Sequence, residues 1–570
     1  MGKMKKGRIP YGISNFRRIM ENGQIYVDKT HYLEKLENLG AEYIIFLRPR
    51  RFGKSLFTSV LYNYYDKNSQ HLFNELFSDT YIGQNKTTDA NNYYILKFNF
   101  SGMSSDDLKS LKESFFIKTK SVIESFIEYY NLEINLSKKI DEAANLLSSF
   151  LEKVKNKLDG NIYVIIDEYD HFANNFLHNR ELFNEMTGKD GFVRAWYEVL
   201  KEYTETIIAR MFITGVSSLT LDSLTSGFNI ATNITRNVLF HEMMGFNLNE
   251  VQGLIDTLKI EDSQNAINVM RENYNEYLFN HKSGTKVFNS NLVLYYLTSY
   301  ESHNEAPEEL IDTNIKSDYK RLTVMFDLFE DEKTKEKIIT DISGGKAVST
   351  EIMSIFELGF KFDQRHFLSL LYYLGLLTID GINRRNKIQL KVPNRVIRHV
   401  YADYYANYLN NLYDLKLDTE HVTNAVEDLA YDNNITTLIE VIIAVLTGMS
   451  NCNALKFNES HLQTIVYTYF RLADIYLMKD EYHVDNGYID LVFFSKVKNV
   501  NDVIIEFKYL TKDNYMKNGY EKKKSEALEQ IKKYSNTEEM KILPNLKKHI
   551  LIFAHTECVY HEEVLGNLKI

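Results

Sequence analysis

The chain has 570 residues, a net charge of −10 at pH 7 and two cysteines. This length exceeds what one hydrophobic core usually serves and predicts about two to four domains. Two cysteines exclude a disulfide framework and a cysteine-rich zinc site, which is typical of a reducing compartment. No apolar run approaches the roughly 20 residues of a membrane span. We therefore expect a cytoplasmic protein without a membrane segment, and its acidic charge argues against a protein coated in nucleic acid.

The first chemical motif follows an apolar run at residues 43–47, which is short enough for a buried parallel strand. The next residues end in Gly53, Lys54 and Ser55, and they match the last positions of the phosphate-loop pattern G-x-x-x-x-G-K-[ST]. Gly53 would let the backbone approach phosphate, Lys54 would reach the outer phosphates of ATP, and Ser55 would offer its hydroxyl to Mg2+. Arg48 replaces the first glycine of the pattern, so the loop must turn without it.

A second element of an ATP site lies at residues 162–168, where an apolar strand pattern ends in Asp167 and Glu168. Asp167 would hold the Mg2+ shell, and Glu168 would activate the attacking water. A third apolar run ends near Thr214, whose hydroxyl could approach the γ-phosphate or could serve as a structural cap. The residues predicted to bind nucleotide and Mg2+ are Arg51, Phe52, Gly53, Lys54, Ser55, Leu56 and Asp167.

The middle of the chain, from about residue 290 to 445, shows helical apolar spacing and no visible chemistry. Strand patterns at 375–379 and 387–392 flank Asp380 and Gly381, which predicts a hairpin after helices, as in a winged-helix-like unit. Such a unit could contact DNA, or it could be a packing lid or spacer. The predicted domains are an ATP-binding domain at 1–290, a helical middle domain at 291–445 and a C-terminal domain at 446–570.

The C-terminal domain shows an αβββαβ pattern with acidic residues on its strands. The run 485–487, Asp-Asn-Gly, predicts a hairpin, and Asp490 follows on the second strand. Glu506 and Lys508 lie two residues apart on the third strand, so they share one face of the sheet. Asp490, Glu506 and the carbonyl of Phe507 are oxygen ligands that suit Mg2+ or Mn2+. Lys508 could orient or acidify an attacking water beside the metal.

The structural alternative for this C-terminal site is an ordinary polar strand, because an acid and a lysine two residues apart are usually a solvated face or an ion pair. Asp490, the hairpin and the element order together favour a nuclease site. Neighbouring lysines could contact phosphates or could belong to an ordinary solvated helix and loop, and the sequence leaves both open. These are Lys512, Lys517, Lys522, Lys523, Lys524, Lys532 and Lys533.

Over nearly its whole length the chain resembles bacterial AAA-ATPase-like proteins that carry a C-terminal PD-(D/E)XK nuclease domain. The motifs that carry the resemblance are Ile9–Phe16, Tyr26–Thr30, Arg48–Leu56, Ile166–Asp170, Phe212–Ser217 and Leu221–Asn229. The resemblance implies an α/β fold with a parallel P-loop NTPase sheet and a C-terminal nuclease core, and it makes Arg48 typical of the family's phosphate loop. It further implies nuclease motifs at Gly487–Asp490 and Glu506–Lys508, with outer helix positions at Glu459 and Gln530.

The segments Tyr274–Tyr277 and Phe288–Ser290 depart from the resemblance. The family usually has Tyr-Asp/Asn-Gly-Tyr in the first and Asn-Pro in the second, and here the glycine and the proline are replaced. Arg50, Arg51 and Arg210 are candidates for an arginine finger.

Two functions from different classes fit these motifs. The first is an ATP-regulated, metal-dependent nuclease that acts on nucleic acid, with DNA as the expected substrate. Its catalytic residues would be Asp490, Glu506, Lys508 and Glu168. The second is an ATP-dependent switch whose nuclease fold binds nucleic acid or a partner without cutting. Whether the chain forms a homo-oligomer is left open.

Overall fold

The structure is a computed structural model. In it the chain folds into two compact units. One unit comprises Met1–Glu332 and Ala347–Val396, and the other comprises Lys333–Lys346 and Ile397–Ile570. The segment 291–445 contributes to both, and the three-domain boundaries stay a prediction. The described residues run from 7 to 565, without 104–106, 172–184, 187, 189, 219–229, 312–325, 327–330, 344–345, 355–362, 414–418, 451–461, 463–465, 467–474, 485–486, 496–499, 512–513, 516–518, 536 and 542.

The first unit is built on a five-stranded parallel sheet in the order β2-β3-β4-β1-β5. Its strands are β1 Tyr43–Leu47, β2 Tyr94–Asn99, β3 Ile162–Asp167, β4 Ile208–Gly215 and β5 Thr232–Asn233. Strands β1, β3 and β4 are mostly apolar and buried, as expected for a parallel sheet covered on both faces. Their carboxyl ends meet at one edge, which is where open α/β sheets bind ligands. The predicted P-loop sheet is confirmed.

Helices surround this sheet and follow it in the chain. They are α1 Phe16–Glu21, α2 His31–Asn38, α3 Lys54–Tyr65, α4 Phe73–Phe77, α5 Tyr81–Gln84, α6 Leu108–Tyr129, α7 Ala143–Val154, α8 Phe192–Glu202, α9 Leu248–Leu258, α10 Ser263–Tyr274 and α11 Ser290–His303. The next helix, α12 Glu332–Ser343, belongs to the second unit apart from its first residue, and α13 Gln364–Tyr373 belongs to the first. Short 3-10 helices lie at Lys67–Leu72, Tyr203–Glu205 and Val238–Phe240. The single tryptophan, Trp196, is fully buried on α8.

A small antiparallel sheet belongs to the first unit and has the order β6-β8-β7. Its strands are β6 Val348–Thr350, β7 Thr378–Ile382 and β8 Ile388–Lys391. The predicted hairpin is present, but its turn was placed wrongly, because Asp380 and Gly381 lie inside β7 at an irregularity of the register. The turn is at 383–387, where Asn386 adopts a φ of 60° that asparagine tolerates better than most residues. A winged-helix-like role stays a prediction.

The second unit contains a five-stranded mixed sheet in the order β13-β12-β11-β10-β9. Its strands are β9 Tyr476–Val484, β10 Gly487–Ser495, β11 Asp502–Leu510, β12 Leu546–Ala554 and β13 Glu557–Glu563. Strands β11 and β12 are parallel, and the other neighbours are antiparallel. The αβββαβ pattern omitted β13, which pairs with β12 at the sheet edge. The predicted hairpin joins β9 to β10, since Val484 pairs with Gly487; its turn residues 485–486 lie outside the described residues.

Besides α12, the second unit contains the helices α14 Arg395–Tyr413, α15 Thr419–Asp432, α16 Thr436–Ser450, α17 Gly519–Ser535 and α18 Glu538–Lys541. Helix α17 packs on the sheet, because its Ala527 and Ile531 share one apolar cluster with Ile504 and Ile550. Of the predicted opening helix, Leu462 and Val466 are described, and both are helical and buried. Across the described ranges, no helix is both long enough and apolar enough to pass through a membrane.

Candidate functional site

The phosphate loop joins the carboxyl end of β1 to helix α3, which begins at Lys54. Gly53 precedes the helix with a φ of 95°, a conformation that glycine adopts without a steric penalty. The unpaired N–H groups of a helix N-terminus form an anion-binding site. The Lys54 side chain is buried, and its Nζ donates to the carbonyl of Pro49 at 2.9 Å. Burial lowers the pKa of Lys54, while Asp167 and Glu168 act in the opposite direction.

Arg48, at the position of the missing first glycine, lies inside the protein. Its guanidinium is stacked between the rings of Phe46 and Phe279, at 4.2 Å from each centroid. Its two terminal nitrogens donate to backbone carbonyls at 2.7 to 3.3 Å, and the acceptors are Leu47, Thr235, Phe240 and His241. Burial lowers the pKa of Arg48 to about 10. The arginine therefore ties the start of the loop to the segment 235–241.

Asp167 closes strand β3 beside the phosphate loop. Thr58 Oγ1 donates to Asp167 Oδ2 at 3.5 Å, and Ser55 is a second hydrogen-bond partner. Burial raises the pKa of Asp167, and the contact with Ser55 opposes this shift. Asp167 Oδ1 is buried and accepts no hydrogen bond from the described residues. An orphaned carboxylate oxygen beside a serine hydroxyl fits the donor set that Mg2+ prefers.

Glu168 has a neighbour that the sequence did not predict. Its Oε2 lies 3.2 Å from His171 Nδ1. This contact lowers the pKa of Glu168 and outweighs the effect of burial, with Lys54 contributing in the same direction. Glu168 itself has a φ of 52°, so the backbone bends sharply at the acid that follows β3. The only sequence signal for His171 was its position three residues after Glu168.

Thr214 and Arg210, two further candidates for the ATP site, both contact neighbouring parts of the first unit. Thr214 is fully buried, and its Oγ1 donates to the carbonyl of Phe46 on the neighbouring strand β1 at 2.7 Å, which is a contact between strands and not a helix cap. Its role near a γ-phosphate stays a prediction. Arg210 forms an ion pair of 2.7 Å with Asp89 and donates to Tyr93 at 3.2 Å. These contacts hold Arg210 on the sheet.

A cavity of about 430 Å3 opens beside the phosphate loop and has the size of a small-molecule site. The predicted residues Arg51 to Leu56 form one wall, together with Arg50, Glu168 and His171. The other walls come from segments to which the sequence gave no role. They are parts of 10–14, 26–29, 243–246 and 290–294. The structure thus brings the two motifs of the predicted ATP site together at one cavity.

Two of these distant segments are fixed to the backbone of the phosphate loop. Gly245 N donates to the carbonyl of Phe52 at 3.0 Å. A Cβ on Gly245 would lie 2.9 Å from the carbonyl oxygen of Phe288, so glycine allows this close approach. Ser290 Oγ and Asn291 N both donate to the carbonyl of Arg51 at 3.2 Å. A ligand that shifts the loop backbone would therefore shift these segments.

The two departures from the family pattern have local explanations. Glu276, where the resemblance has glycine, keeps a positive φ of 76° and forms an ion pair with Lys286. Ser290, where the resemblance has proline, is the first residue of α11, a position that proline favours but does not require. Asn289 caps this helix by accepting from the backbone N–H groups of Asn291 and Leu292.

His241 makes the stability of the first unit depend on pH. Its Nε2 donates to the carbonyl of Thr285 at 2.7 Å, and its Nδ1 is buried without a hydrogen-bond partner among the described residues. Burial lowers the pKa of His241 to about 4, and Arg48 contributes to this shift. Since an unfolded histidine titrates at about 6.5, the unfolded state binds more protons between these values.

We expect acid to destabilise the first unit below about pH 6.5, with no further loss from His241 below about pH 4. The loss attributable to this group is at most about 3 kcal/mol. Urea unfolding followed by Trp196 fluorescence, at pH 7 and pH 5, measures it. His241→Gln keeps a donor for Thr285 and should reduce the pH dependence. An equally steep pH dependence in this variant would refute the assignment.

The candidate nuclease residues Glu506 and Lys508 are both buried on β11, at 0% and 4% exposed. Lys508 Nζ lies 2.8 Å from Glu506 Oε1. By the alternation of a strand they share the face of Ile504 and Leu510, which pack against α17. The alternative that these two residues lie on a solvated face is therefore wrong. They form a buried ion pair on the face of β11 that packs against α17.

The other nuclease candidates are only partly described. Asp490 lies on β10, and its side chain lies outside the described residues, as does Glu459. Leu491 pairs with Ile505, so the same register continued by one residue sets Asp490 opposite Glu506. On α17, Gln530 has a buried Oε1 that lacks a hydrogen-bond partner within the described set.

Helix α17 also carries an acidic residue near Lys508 to which the sequence analysis assigned no role. Glu526 lies one helical turn before Gln530, and its contact with Lys523, helped by the charge of Lys508, lowers its pKa. The described side chains contain no group of three His, Cys, Asp or Glu residues that could hold a metal ion. A metal ion at Glu506 would therefore need Asp490 as a second carboxylate ligand. The Oε1 of Gln530, which has no partner among the described residues, could accept a hydrogen bond from a ligand nearby.

Comparisons with known proteins agree with the two sets of motifs. Residues 10–225 match the family described as Predicted AAA-ATPase, and residues 457–563 match the PD-(D/E)XK nuclease superfamily. The first range includes 221–225 of the motif Leu221–Asn229, and the second includes Glu459; these residues lie outside the described ones.

Two individual proteins show more distant likeness. An uncharacterized protein in the vnfD 5′ region of Azotobacter chroococcum mcd 1 is 24% identical over 252 residues, which cover 44% of this chain and 45% of that protein. The match thus spans less than half of this relative. The solved structure of the Aeropyrum pernix Orc1 protein in complex with DNA matches at 10% identity and a TM-score of 0.22, over 71% of this chain and 98% of that one. This likeness is too low to support an argument. The two family matches show that the chain combines an N-terminal domain of the predicted AAA-ATPase family with a C-terminal domain of the PD-(D/E)XK nuclease superfamily.

Proposed function

We propose that this protein binds ATP in its N-terminal domain and cuts DNA with a divalent metal ion in its C-terminal domain, under the control of the bound nucleotide. The observation that carries the proposal is the burial of Glu506 and Lys508 on one strand face. Burying two charges costs more than burying apolar side chains of similar volume, so stability alone gives little reason for the pair. Buried, strongly interacting acids and bases are instead frequent at catalytic sites.

In the C-terminal domain, Asp490, Glu506 and the carbonyl of Phe507 would hold the metal. When bound, Mg2+ or Mn2+ supplies positive charge that stabilises the developing negative charge on a phosphate. Lys508 would orient the attacking water, and the charge of its ammonium would be only weakly screened because the side chain is 4% exposed. Gln530 would offer its buried oxygen to the same water or to the substrate strand.

In the N-terminal domain, Lys54 and the backbone around Gly53 would bind the outer phosphates, with Ser55 and Asp167 holding Mg2+. Glu168 would accept a proton from water if the nucleotide is hydrolysed. Lys54 must leave the carbonyl of Pro49 to reach a phosphate. Phosphate binding would thus change the loop to which residues 245 and 290–291 are attached, which gives nucleotide control a structural starting point.

The alternative function is a nucleotide switch whose nuclease fold binds nucleic acid or a partner protein without cutting. One observation favours it, because Lys508 is held by Glu506 at 2.8 Å and an ion pair can be purely structural. The two functions differ in whether DNA is cut.

Cleavage of labelled single- and double-stranded DNA with Mg2+ or Mn2+, with and without ATP, tests the proposal. We expect cutting by the natural protein to disappear in Asp490→Ala and to lose its ATP dependence in Lys54→Ala. Loss in Asp490→Ala alone would leave two modules that work separately. Absence of cutting under every condition would favour the nucleotide switch.

A further inference from the structure

A chain of three tyrosine rings lies at one side of the second unit. The ring centroids of Tyr515 and Tyr520 are 6.3 Å apart, and those of Tyr520 and Tyr560 are 6.0 Å apart, both with edge-to-face geometry. The ammonium of Lys524 lies 4.2 Å from the centroid of Tyr560. Tyr515 is 40% exposed, whereas Tyr520 and Tyr560 are half-buried. The rings therefore lead from the rim of the apolar core to the surface.

The strand register places these rings beside the candidate nuclease residues. Lys508 on β11 pairs with Ile552 on β12, and Ile552 pairs with Tyr560 on β13. Residues directly opposite each other across neighbouring strands project from the same face. Tyr560 thus shares the face of Lys508 at a separation of two strands, or about 10 Å.

We propose that Tyr515, Tyr520, Tyr560 and Lys524 form a binding platform for the unpaired bases of a single DNA strand next to the cleavage site. This proposal rests on the proposed nuclease function and specifies its substrate. Bases stack on aromatic side chains regardless of their identity, and a neighbouring lysine contacts the phosphates. A base inside a duplex has both faces covered, so the platform selects an unpaired strand.

Packing alone accounts for only part of this arrangement. Tyr520 and Tyr560 contact the apolar cluster under α17, so they also close the rim of the core. Tyr515 adds an exposed aromatic ring, which core packing does not require. The exposed Lys522 and the half-buried Lys523 precede Lys524 on the same helix and add positive charge where a phosphate backbone would pass.

The test is the binding of a fluorescent oligodeoxynucleotide to the full-length protein in EDTA, where metal-dependent cutting cannot occur. We expect Tyr515→Ala to weaken binding of single-stranded DNA by about fivefold or more and to leave duplex binding unchanged. Tyr515→Phe should bind like the natural protein, because it keeps the ring. Tyr431→Ala is a matched control, since Tyr431 is a 55% exposed tyrosine of the same unit.

A second measurement does not depend on substitution. Ultraviolet cross-linking of an oligonucleotide that carries bromouracil should label Tyr515, Tyr520 or Tyr560, as identified by peptide mass spectrometry. Equal affinities of Tyr515→Ala and the natural protein, equal losses on duplex and single strand, or cross-links confined to other residues would overturn the proposal. Tighter binding of an RNA of the same sequence would overturn the choice of DNA.

The outcomes also separate this proposal from the proposed nuclease activity. Binding that depends on Tyr515 in a protein that never cuts DNA would support the platform and refute the nuclease. Cutting by the natural protein, together with binding that ignores Tyr515, would refute the platform and support the nuclease. A natural protein that binds no single-stranded DNA would refute the platform directly.

Discussion

Replacing Lys508 with methionine should abolish metal-dependent DNA cleavage while leaving DNA binding nearly unchanged. The expected loss in rate is on the order of 10² to 10⁴, the usual contribution of a group that moves or orients a proton in the transition state. Methionine keeps the length and much of the volume of lysine and removes only its charge and its donors. Gel assays of labelled DNA measure cleavage, and binding is measured separately in EDTA.

Stability has to be separated from catalysis in this experiment. Lys508→Met leaves the carboxylate of Glu506 buried without the ion-pair partner at 2.8 Å, a change that commonly costs about 3 to 5 kcal/mol. Glu506→Gln combined with Lys508→Met removes both charges and should recover much of that stability without recovering cleavage. Lys541→Met, at an exposed lysine of the same unit, is the control. A folded Lys508→Met protein that cuts at the natural rate would refute the role of Lys508.

Replacing Lys54 with alanine should reduce ATP affinity by about 10- to 100-fold, the cost of losing a hydrogen bond between charged groups. The ammonium of Lys54 is buried beside the cavity and donates a hydrogen bond to the carbonyl of Pro49. Lys54 lines the cavity, so its ammonium lies close to where we expect the phosphates of ATP. Isothermal titration calorimetry with ATP and Mg2+ measures the affinity.

A matched variant shows whether the effect is specific to the phosphate loop. Lys67→Ala removes another lysine of the first unit, which forms a surface ion pair with Asp159. We expect this control to bind ATP like the natural protein. Natural affinity in Lys54→Ala would show that the cavity does not bind phosphate through this loop. If Lys54→Ala binds ATP more weakly and the natural protein does not hydrolyse ATP, the nucleotide switch is favoured.

Local patterns determined much of the N-terminal site. The strand 43–47 and the strand that ends at Asp167 lie where the sequence predicted them, and the Gly53-Lys54-Ser55 motif follows the first of them. These features were readable because each depends on neighbours in the chain. Apolar periodicity defines a strand, and a glycine before a helix defines a phosphate loop.

Local sequence patterns could not predict the buried contacts of Arg48 or the distant segments that form the other walls of the cavity. Arg48 binds carbonyls almost 190 residues away, as in its contact with Thr235 at a sequence separation of 187. Ser290 reaches Arg51 across 239 residues. Such contacts follow from the packing of the whole unit, and one sequence does not reveal which distant segments meet. Glu526 was missed for the same reason, whereas the contact of His171 with Glu168 is local and had only its three-residue spacing as a signal.

For the nuclease site, the sequence by itself determined that Glu506 and Lys508 share a strand face, because side chains alternate along every strand. Only the tertiary structure decided that this face is buried, since burial depends on where α17 and β12 pack. That decision changes the chemistry, because an ion pair under a helix is desolvated and a solvated pair is not. The sequence thus determined which residues stand together, and the packing of distant elements decided the environment in which they act.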